Sequence, residues 1–341
     1  MKLLFPILFL SVFFISCEGE QGKNANLPQA AGRAGDILVV MPDQMWNNAP
    51  GDGLLSQIRQ NYPALPQPEP LFGVVRVAPD KFNSLLKSQR NIIISTHDSA
   101  WAKQGNFHSA EDHYFKIKRN VFAKGQLVVV LNPFITNEAL ADSLSQYGNR
   151  IVDVFETEEE ARNNQFLNKV TDKAIVLKFR NEFSCYLPIP DDYRIGKETK
   201  DFVWLINEQA ERIFNITLHK SKYKGPSDFD EENIIAKRNE LGKKNIPGSF
   251  EGSHLSTESN YKPYRDTVNI DGNFAILTRG LWRMEGDFMG GPYVNLTIYD
   301  DRDQSVYFID GFVFAPKFKK RELIKNVERI LRAFKTIEPK K

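Results

Sequence analysis

The chain has 341 residues, with 45 Lys and Arg against 43 Asp and Glu, a formal net charge of +2, and 41% apolar residues. That length and apolar content suffice for two ordinary domains. The near balance of charge argues against a nucleic-acid partner, which a strong basic excess would mark, and beyond the first residues no stretch reaches the roughly 18 apolar residues of a membrane span.

Met1-Lys2 is a short positive start, and Leu3 to Ile15 is an apolar run too short to cross a bilayer, so residues 1–16 read as a signal peptide. Phe14-Ile15-Ser16-Cys17 resembles the bacterial lipobox, although that motif usually carries Leu where Phe14 stands. The resemblance implies cleavage before Cys17 and acylation of its thiol and new amino terminus, palmitate being a typical chain. At roughly 0.8 kcal/mol per buried methylene, several chains make a stable anchor in the lipid bilayer. Residues 17–34 are polar and aperiodic and read as a flexible tether. Cys185 is then the one remaining cysteine, so no internal disulfide supports the fold.

The first domain, 35–150, opens with an apolar strand from Asp36 to Met41, then a helix from Asp52 to Gln60 with Leu54, Leu55 and Ile58 on one face. Pro63, Pro66, Pro68 and Pro70 hold the next segment extended. Strand Leu71 to Val77, a helix carrying Phe82, Leu85 and Leu86, and strand Asn91 to Ser95 follow. Tyr114 to Lys118 pairs with Gln126 to Leu131 around Lys124-Gly125, and Thr136 caps a helix that Gly148 stops. A connecting helix fills 151–180, with Thr157 to Glu160 as a capping box and Phe166, Val170, Ala174 and Leu177 on one face.

The second domain, 181–336, begins with Phe183 to Ile189, then strands Phe202 to Ile206 and Arg212 to His219. Asp228 and Glu231 form a capping box for a helix bearing Ile234, Ile235, Arg238 and Leu241, which Gly242 ends. A three-strand meander follows: Phe274 to Met284, Tyr293 to Tyr299 and Ser305 to Phe314. The last of these is apolar on both faces, so it should be central and covered. Its cover is the next helix, in which Leu323, Ile324, Val327, Ile330, Leu331 and Phe334 recur at three- and four-residue spacings. The fold class expected is α+β: two α/β-type domains, the second an antiparallel sheet covered by helices. By topology alone the second resembles the sandwich of Mog1 and the photosystem P protein, which says nothing about activity.

Arg279-Gly280-Leu281-Trp282, Met289 to Val294, and Gly311 to Pro316 followed by Lys319-Lys320-Arg321 are similar to a family of uncharacterised Gram-negative envelope lipoproteins, the domain of unknown function 4837, and Leu65 to Phe72 extend the likeness. The resemblance implies an address in the cell envelope, the periplasm or outer membrane, and brings no catalytic residue or cofactor with it. It further implies a lineage that glycosylates exported proteins at Ser or Thr between Asp and a small apolar residue. Ser99 and Thr267 fit that site, as does Ser143, which falls within an expected helix.

Three clusters carry possible chemistry. His97, His108 and His113 with Asp98, Glu111 and Asp112 are the right residue types for zinc, but their spacing shares no helical face or strand face, so a polar loop is the plainer reading. Asp300, Asp301 and Asp303 suit a turn better than a calcium loop. Arg279, Trp282, Arg283 and Asp287, around Gly290-Gly291-Pro292, form the candidate ligand site: Arg to clamp a carboxylate or phosphate, Trp to stack on a ring. The alternative is that the glycines make a tight turn or bulge and Trp282 is core. Lys317, Lys319, Lys320 and Arg321 stand where a helix dipole disfavours positive charge, as anionic lipid head groups or a solvated face would explain.

No hydrolase, phosphate-binding or dinucleotide motif appears, and no cofactor or metal is expected. The leading expectation is a lipid-anchored, non-catalytic envelope module that binds a protein or glycan partner. The competing one is an envelope hydrolase of glycan or peptide, with Glu285 or Asp287 as acid and Arg279 orienting substrate.

Overall fold

The computed structural model describes residues 27–95, 100, 103 and 105–338. Cys17, His97, Asp98 and Ser99 lie outside the described residues.

The first sheet comprises β1 (Asp36–Val40), β2 (Gly73–Val77), β3 (Asn91–Ile94), β4 (Phe115–Arg119) and β5 (Leu127–Leu131) in the order β2-β1-β3-β5-β4, with β4 alone antiparallel. Its central strands are apolar on both faces because both are covered. Ile37, Val39 and Val129 meet Leu54, Leu140, Leu144 and Phe155 on one side; Leu38, Val40 and Val128 meet Phe82, Phe107 and Phe122 on the other. The helices are α1 (Asp43–Trp46), α2 (Ala49–Ile58), α3 (Ser84–Lys87), α4 (Asn137–Tyr147) and α5 (Asn149–Val170). Thr136 caps α4 by accepting from the Ala139 N–H.

Three boundaries in this half differ from the sequence expectation. Gly148 does not stop the chain: it keeps right-handed helical angles, and α5 starts at once. Thr157 to Glu160 lie inside α5 instead of capping it, because Glu159 is drawn inward by Asn91, Arg90 and Arg162, at 2.9, 2.7 and 2.5 Å. Phe166 and Leu177 are exposed, and the buried positions are Leu167 and Ile175. The helix breaks at Thr171, and Asp172 caps the short α6 (Lys173–Lys178), so one face does not run through. The proline segment is not simply extended either. It folds back, with the Tyr62 N–H on the Glu69 carbonyl and the Leu71 N–H on that of Gln60, and so presents Tyr62 and Glu69 to the second half of the chain.

The second sheet takes β7 (Arg194–Glu198), β8 (Phe202–Gln209), β9 (Arg212–Lys222), β10 (His254–Thr257), β11 (Tyr264–Ile270), β12 (Asn273–Glu285), β13 (Gly290–Asp300) and β14 (Ser305–Phe314). Its order is β10-β12-β13-β14-β9-β8-β7, and β11 pairs with β12 on the same edge as β10. The meander pairs in register, and β14 is central between β13 and β9. Phe183 to Ile189 supplies only β6 (Cys185–Tyr186), paired with β15 (Lys335–Thr336), because a π-helical turn occupies Phe179–Phe183. Burial pushes the Cys185 thiol far up from its ordinary value.

Helix α8 (Arg321–Arg332) covers one face of this sheet, setting Ile324, Val327 and Leu331 against Leu277, Leu296 and Ile309. Helix α7 (Glu231–Asn245) covers the other, setting Ile234 and Leu241 against Ile276, Trp282 and Phe308. The fold is α+β with a curled antiparallel sheet between helices. Asp228 does not form the expected capping box: it sits in a 3₁₀ turn and accepts from the Lys224 N–H. Gly242 does not end α7; it lets β10 approach, since a Cβ there would lie 2.4 Å from the Leu255 carbonyl oxygen.

Gly290-Gly291-Pro292 is neither turn nor bulge but the start of β13, opposite Arg283, Trp282 and Leu281. A Cβ on Gly291 would fall 2.2 Å from the Val313 carbonyl oxygen, the acceptor of the Trp282 indole N–H at 3.1 Å. Gly291→Ala is therefore expected to lose about 1–3 kcal/mol by overpacking, read as a lower urea midpoint at unchanged slope. An unchanged midpoint would mean the strand shifts freely.

Candidate functional site

The two halves of the chain meet along α5, α8 and the folded proline segment. Glu69 fixes this junction: its carboxylate accepts from the N–H groups of Lys320 (2.6 Å) and Arg321 (3.1 Å) at the start of α8. Arg321 returns two bonds, to the carbonyls of Pro70 (2.8 Å) and Gly35 (3.2 Å). A negative charge at the helix N-terminus thus offsets the basic cluster there. Lys317 pairs with Glu211.

Beside this junction lies a cleft of about 620 Å³, within the range of small-ligand sites. One wall is α5, contributing Asp153, Glu156 and Glu160 at helical spacing; the other is α8, contributing Lys325, Arg329 and Arg332. Arg279 lies at the floor with Tyr62 and Tyr264, its guanidinium carbon 5.0 and 5.3 Å from their ring centroids.

The centre of the cleft is a closed set of ionic bonds. Arg279 holds Glu328 through both carboxylate oxygens at 2.9 and 2.7 Å, Arg332 adds 2.8 Å, and the Tyr62 hydroxyl donates at 2.6 Å. Burial by itself would raise the Glu328 carboxyl, but the charges and hydrogen bonds of Arg279 and Arg332 outweigh it and hold the group well below the ordinary carboxylate range. Burial and then the Glu328 charge push the Tyr62 hydroxyl well above its usual value. Across the cleft Lys325 pairs with Glu156 at 2.5 Å. Arg329, with a side-chain exposure of 8%, pairs with Glu322 at 3.9 Å and gives one bond to Asn326, while its buried Nη2 makes no hydrogen bond.

The residues expected to act together are separated. Arg279 is in the cleft, but Trp282 is three residues along β12 and projects from the opposite face. It is 2% exposed and lines a separate apolar groove of about 250 Å³ with Trp204, Ile206, Met284, Met289 and Phe312. Two exposed rings, Phe250 and Phe288, flank that groove in sequence at Ser249 and Met289. Arg283 pairs with Glu285 at 2.6 Å on the surface. Asp287 sits in the β12–β13 turn, accepting from the N–H groups of Ser249 and Phe288. Neither Glu285 nor Asp287 lines the cleft beside Arg279.

Thr267 is exposed on β11, and Ser143 bonds back to the Ala139 carbonyl within α4. Asp112 accepts from the backbone N–H groups of His108 and Ser109, tying down that loop, and Glu111 bonds through its N–H to the Ser109 hydroxyl. His113 offers its carbonyl to Asn132. Asp300 is bound by Arg302 and Asp303 by Lys220. Among the described residues no group of three or more His, Cys, Asp or Glu is placed to hold a metal ion.

Sequence reasoning missed Tyr62, Glu328 and the two charged stripes. The signal was present in part: Lys325, Glu328, Arg329 and Arg332 recur at i, i+3, i+4 and i+7 alongside the apolar stripe of α8. Which partner they meet is set by packing.

Solved structures resemble the chain in fold at low score. The Ran-binding protein Mog1p of Saccharomyces cerevisiae is 12% identical, with 46% of this chain and 91% of that one covered and a TM-score of 0.32. LpqN of Mycobacterium tuberculosis, described as involved in cell envelope biogenesis, is 16% identical over 45% and 83%, with a TM-score of 0.28. Human StAR-related lipid transfer protein 5 is 8% identical over 51% and 93%, with a TM-score of 0.24. No curated protein matches the chain. Residues 30–168, which include the Leu65 to Phe72 segment, match the family described as Domain of unknown function (DUF8532). Residues 172–333, which carry the Arg279 to Trp282 and Gly311 to Pro316 motifs, match the family described as Domain of unknown function (DUF4837).

Proposed function

We propose that this chain is a non-catalytic binding module of the cell envelope, anchored in the lipid bilayer through acylated Cys17, with the cleft between α5 and α8 as its ligand site. The observation that carries this reading is the state of the cleft's buried acid. An envelope hydrolase acting on glycan or peptide needs a carboxyl whose affinity for protons is raised toward neutrality. Glu328 is shifted the opposite way and is bound by Arg279, Arg332 and Tyr62. The Arg279–Glu328 pair fits a role in fixing the floor of a site better than one in moving protons.

The test is a gentle affinity pull-down of the tagged protein from its own membranes, with mass spectrometry of everything retained, run beside Arg329→Gln. A glycan, small molecule or protein kept in stoichiometric amount by the unsubstituted chain and lost by the variant is the expected result. Turnover of envelope glycan or peptide by the purified protein would replace this reading with the hydrolase. The anchor is tested on the same material: the mature amino-terminal peptide should begin at Cys17 and carry the mass of its acyl chains. An unmodified amino terminus beginning elsewhere would remove the bilayer from the account.

A further inference from the structure

Resting on the reading of the cleft as a ligand site, we infer that its ligand is an uncharged saccharide, stacked by one pyranose ring on Tyr264 and held at its hydroxyls by groups of α5. Tyr264 stands directly opposite Arg279 in the β11–β12 pairing, so the two side chains share a face of the sheet. The Tyr264 ring centroid is 5.3 Å from the guanidinium carbon, and Glu328 grips that guanidinium through two bonds of 2.9 and 2.7 Å. A ring backed in this way is ordered before any ligand arrives, which lowers the entropy lost on binding. It is also presented. Tyr264 is 40% exposed and lines the cleft, whereas Tyr62, which packs on the same guanidinium, is buried.

The cations of the cleft are already engaged by acids of the protein. Arg279 and Arg332 share Glu328, Lys325 pairs with Glu156, and Arg329 pairs with Glu322. What remains for a ligand is Asp153, Thr157 and Glu160, at i, i+4 and i+7 on one face of α5, with the Asn61 side-chain amide beside them in the cleft lining. None of the four is buried, and among the described residues none makes a side-chain hydrogen bond or ion pair. The carboxylates accept several O–H donors each, and the hydroxyl and amide both give and take. A polyol supplies those donors, and each hydroxyl on a carboxylate makes a charge-assisted bond. Ligands of other classes use only part of this surface. An anion meets the unpaired carboxylates, and a flat apolar ligand desolvates them without return. An ammonium suits the carboxylates, but on Tyr264 it shares the ring with the Arg279 guanidinium and is repelled by it. A pyranose brings an apolar C–H face for the tyrosine and a rim of hydroxyls for α5.

The test is calorimetric titration of the purified protein with cellotriose, maltotriose and tri-N-acetylchitotriose, with tetramethylammonium chloride and sodium phosphate as contrasts. Saturable binding of at least one trisaccharide is expected, with neither salt displacing it. Tyr264→Ala should weaken that sugar about tenfold, the weight of one aromatic contact. Tyr264→Phe keeps the ring and should bind as the unsubstituted chain does. Asp153→Ala with Glu160→Ala should weaken the sugar about a hundredfold, two charged hydrogen bonds being lost. That double substitution lies on the solvent side of α5 and preserves the test should Tyr264→Ala fail to fold. Binding of no trisaccharide, a sugar affinity that either alanine variant leaves unchanged, Tyr264→Phe binding as weakly as Tyr264→Ala, or displacement of the sugar by tetramethylammonium or phosphate would each overturn the assignment. If no trisaccharide binds while the membrane pull-down still retains a ligand, the saccharide class falls and the binding reading stands; if both fail, both fall.

Discussion

Replacing Glu328 by Gln is expected to destabilise the fold by about 3–5 kcal/mol, the cost of leaving a buried charge without its partner. Arg279 has 13% side-chain exposure and spends both arms of its guanidinium on this carboxylate. Arg332 and Tyr62 donate to different oxygens of the carboxylate, and since the amide keeps only one acceptor oxygen, one of the two loses its acceptor in the same step. Because Tyr62 comes from the first half of the chain and Arg279, Glu328 and Arg332 from the second, the effect should reach the junction between them. The measurement is urea unfolding followed by circular dichroism, with the pH varied. In the folded state Glu328 holds its proton less tightly than a free carboxyl, so its contribution is fully present above about pH 4.3, the unfolded value. It is lost as pH falls from there through the depressed folded value. The unsubstituted protein should therefore lose stability on acidification more steeply than Glu328→Gln. Parallel pH curves for the two would show that the carboxylate is not held as described.

The second large effect belongs to the other face of the same sheet. Arg238 and Asp310 have side-chain exposures of 1% and 3% and bond at 3.0 Å beneath α7. Arg238 also donates to the Ser256 carbonyl and Thr257 hydroxyl, and its guanidinium carbon stands 3.9 Å from the centre of the Tyr293 ring. Asp310→Asn keeps the shape and removes the charge, and it should cost about 3–5 kcal/mol because the guanidinium stays buried and uncompensated. Arg238→Met combined with Asp310→Leu should lose less than the charge-only variant, since apolar groups of similar volume carry no desolvation penalty. A single-variant loss below about 1 kcal/mol would mean that water reaches the pair, contrary to its burial.

Both predictions rest on buried ionic groups whose partners are 49 and 72 residues away, and that separation decides what was legible. The meander was readable because period-two alternation in Tyr293 to Tyr299 and apolarity on both faces of Val306 to Phe314, interrupted only at Asp310 and Gly311, are local patterns, imposed by the pleat and by cover on two faces. Helix α8 was readable for the same reason at period 3.6. Even the separation of Arg279 from Trp282 was latent in the sequence, since residues three apart on a strand point to opposite faces. The pairing of the two residues as one site overlooked that parity.

The sequence by itself determined the meander, its covering helix, the α+β class and a central covered strand, because each follows from backbone periodicity and the nearest residues. The tertiary structure alone decided that Gly242 admits a strand, that Glu69 caps a helix some 250 residues away, and that two oppositely charged helices face each other across a cleft. Those outcomes depend on Coulomb and contact distances between segments remote in the chain. Such distances do not exist until the two halves pack.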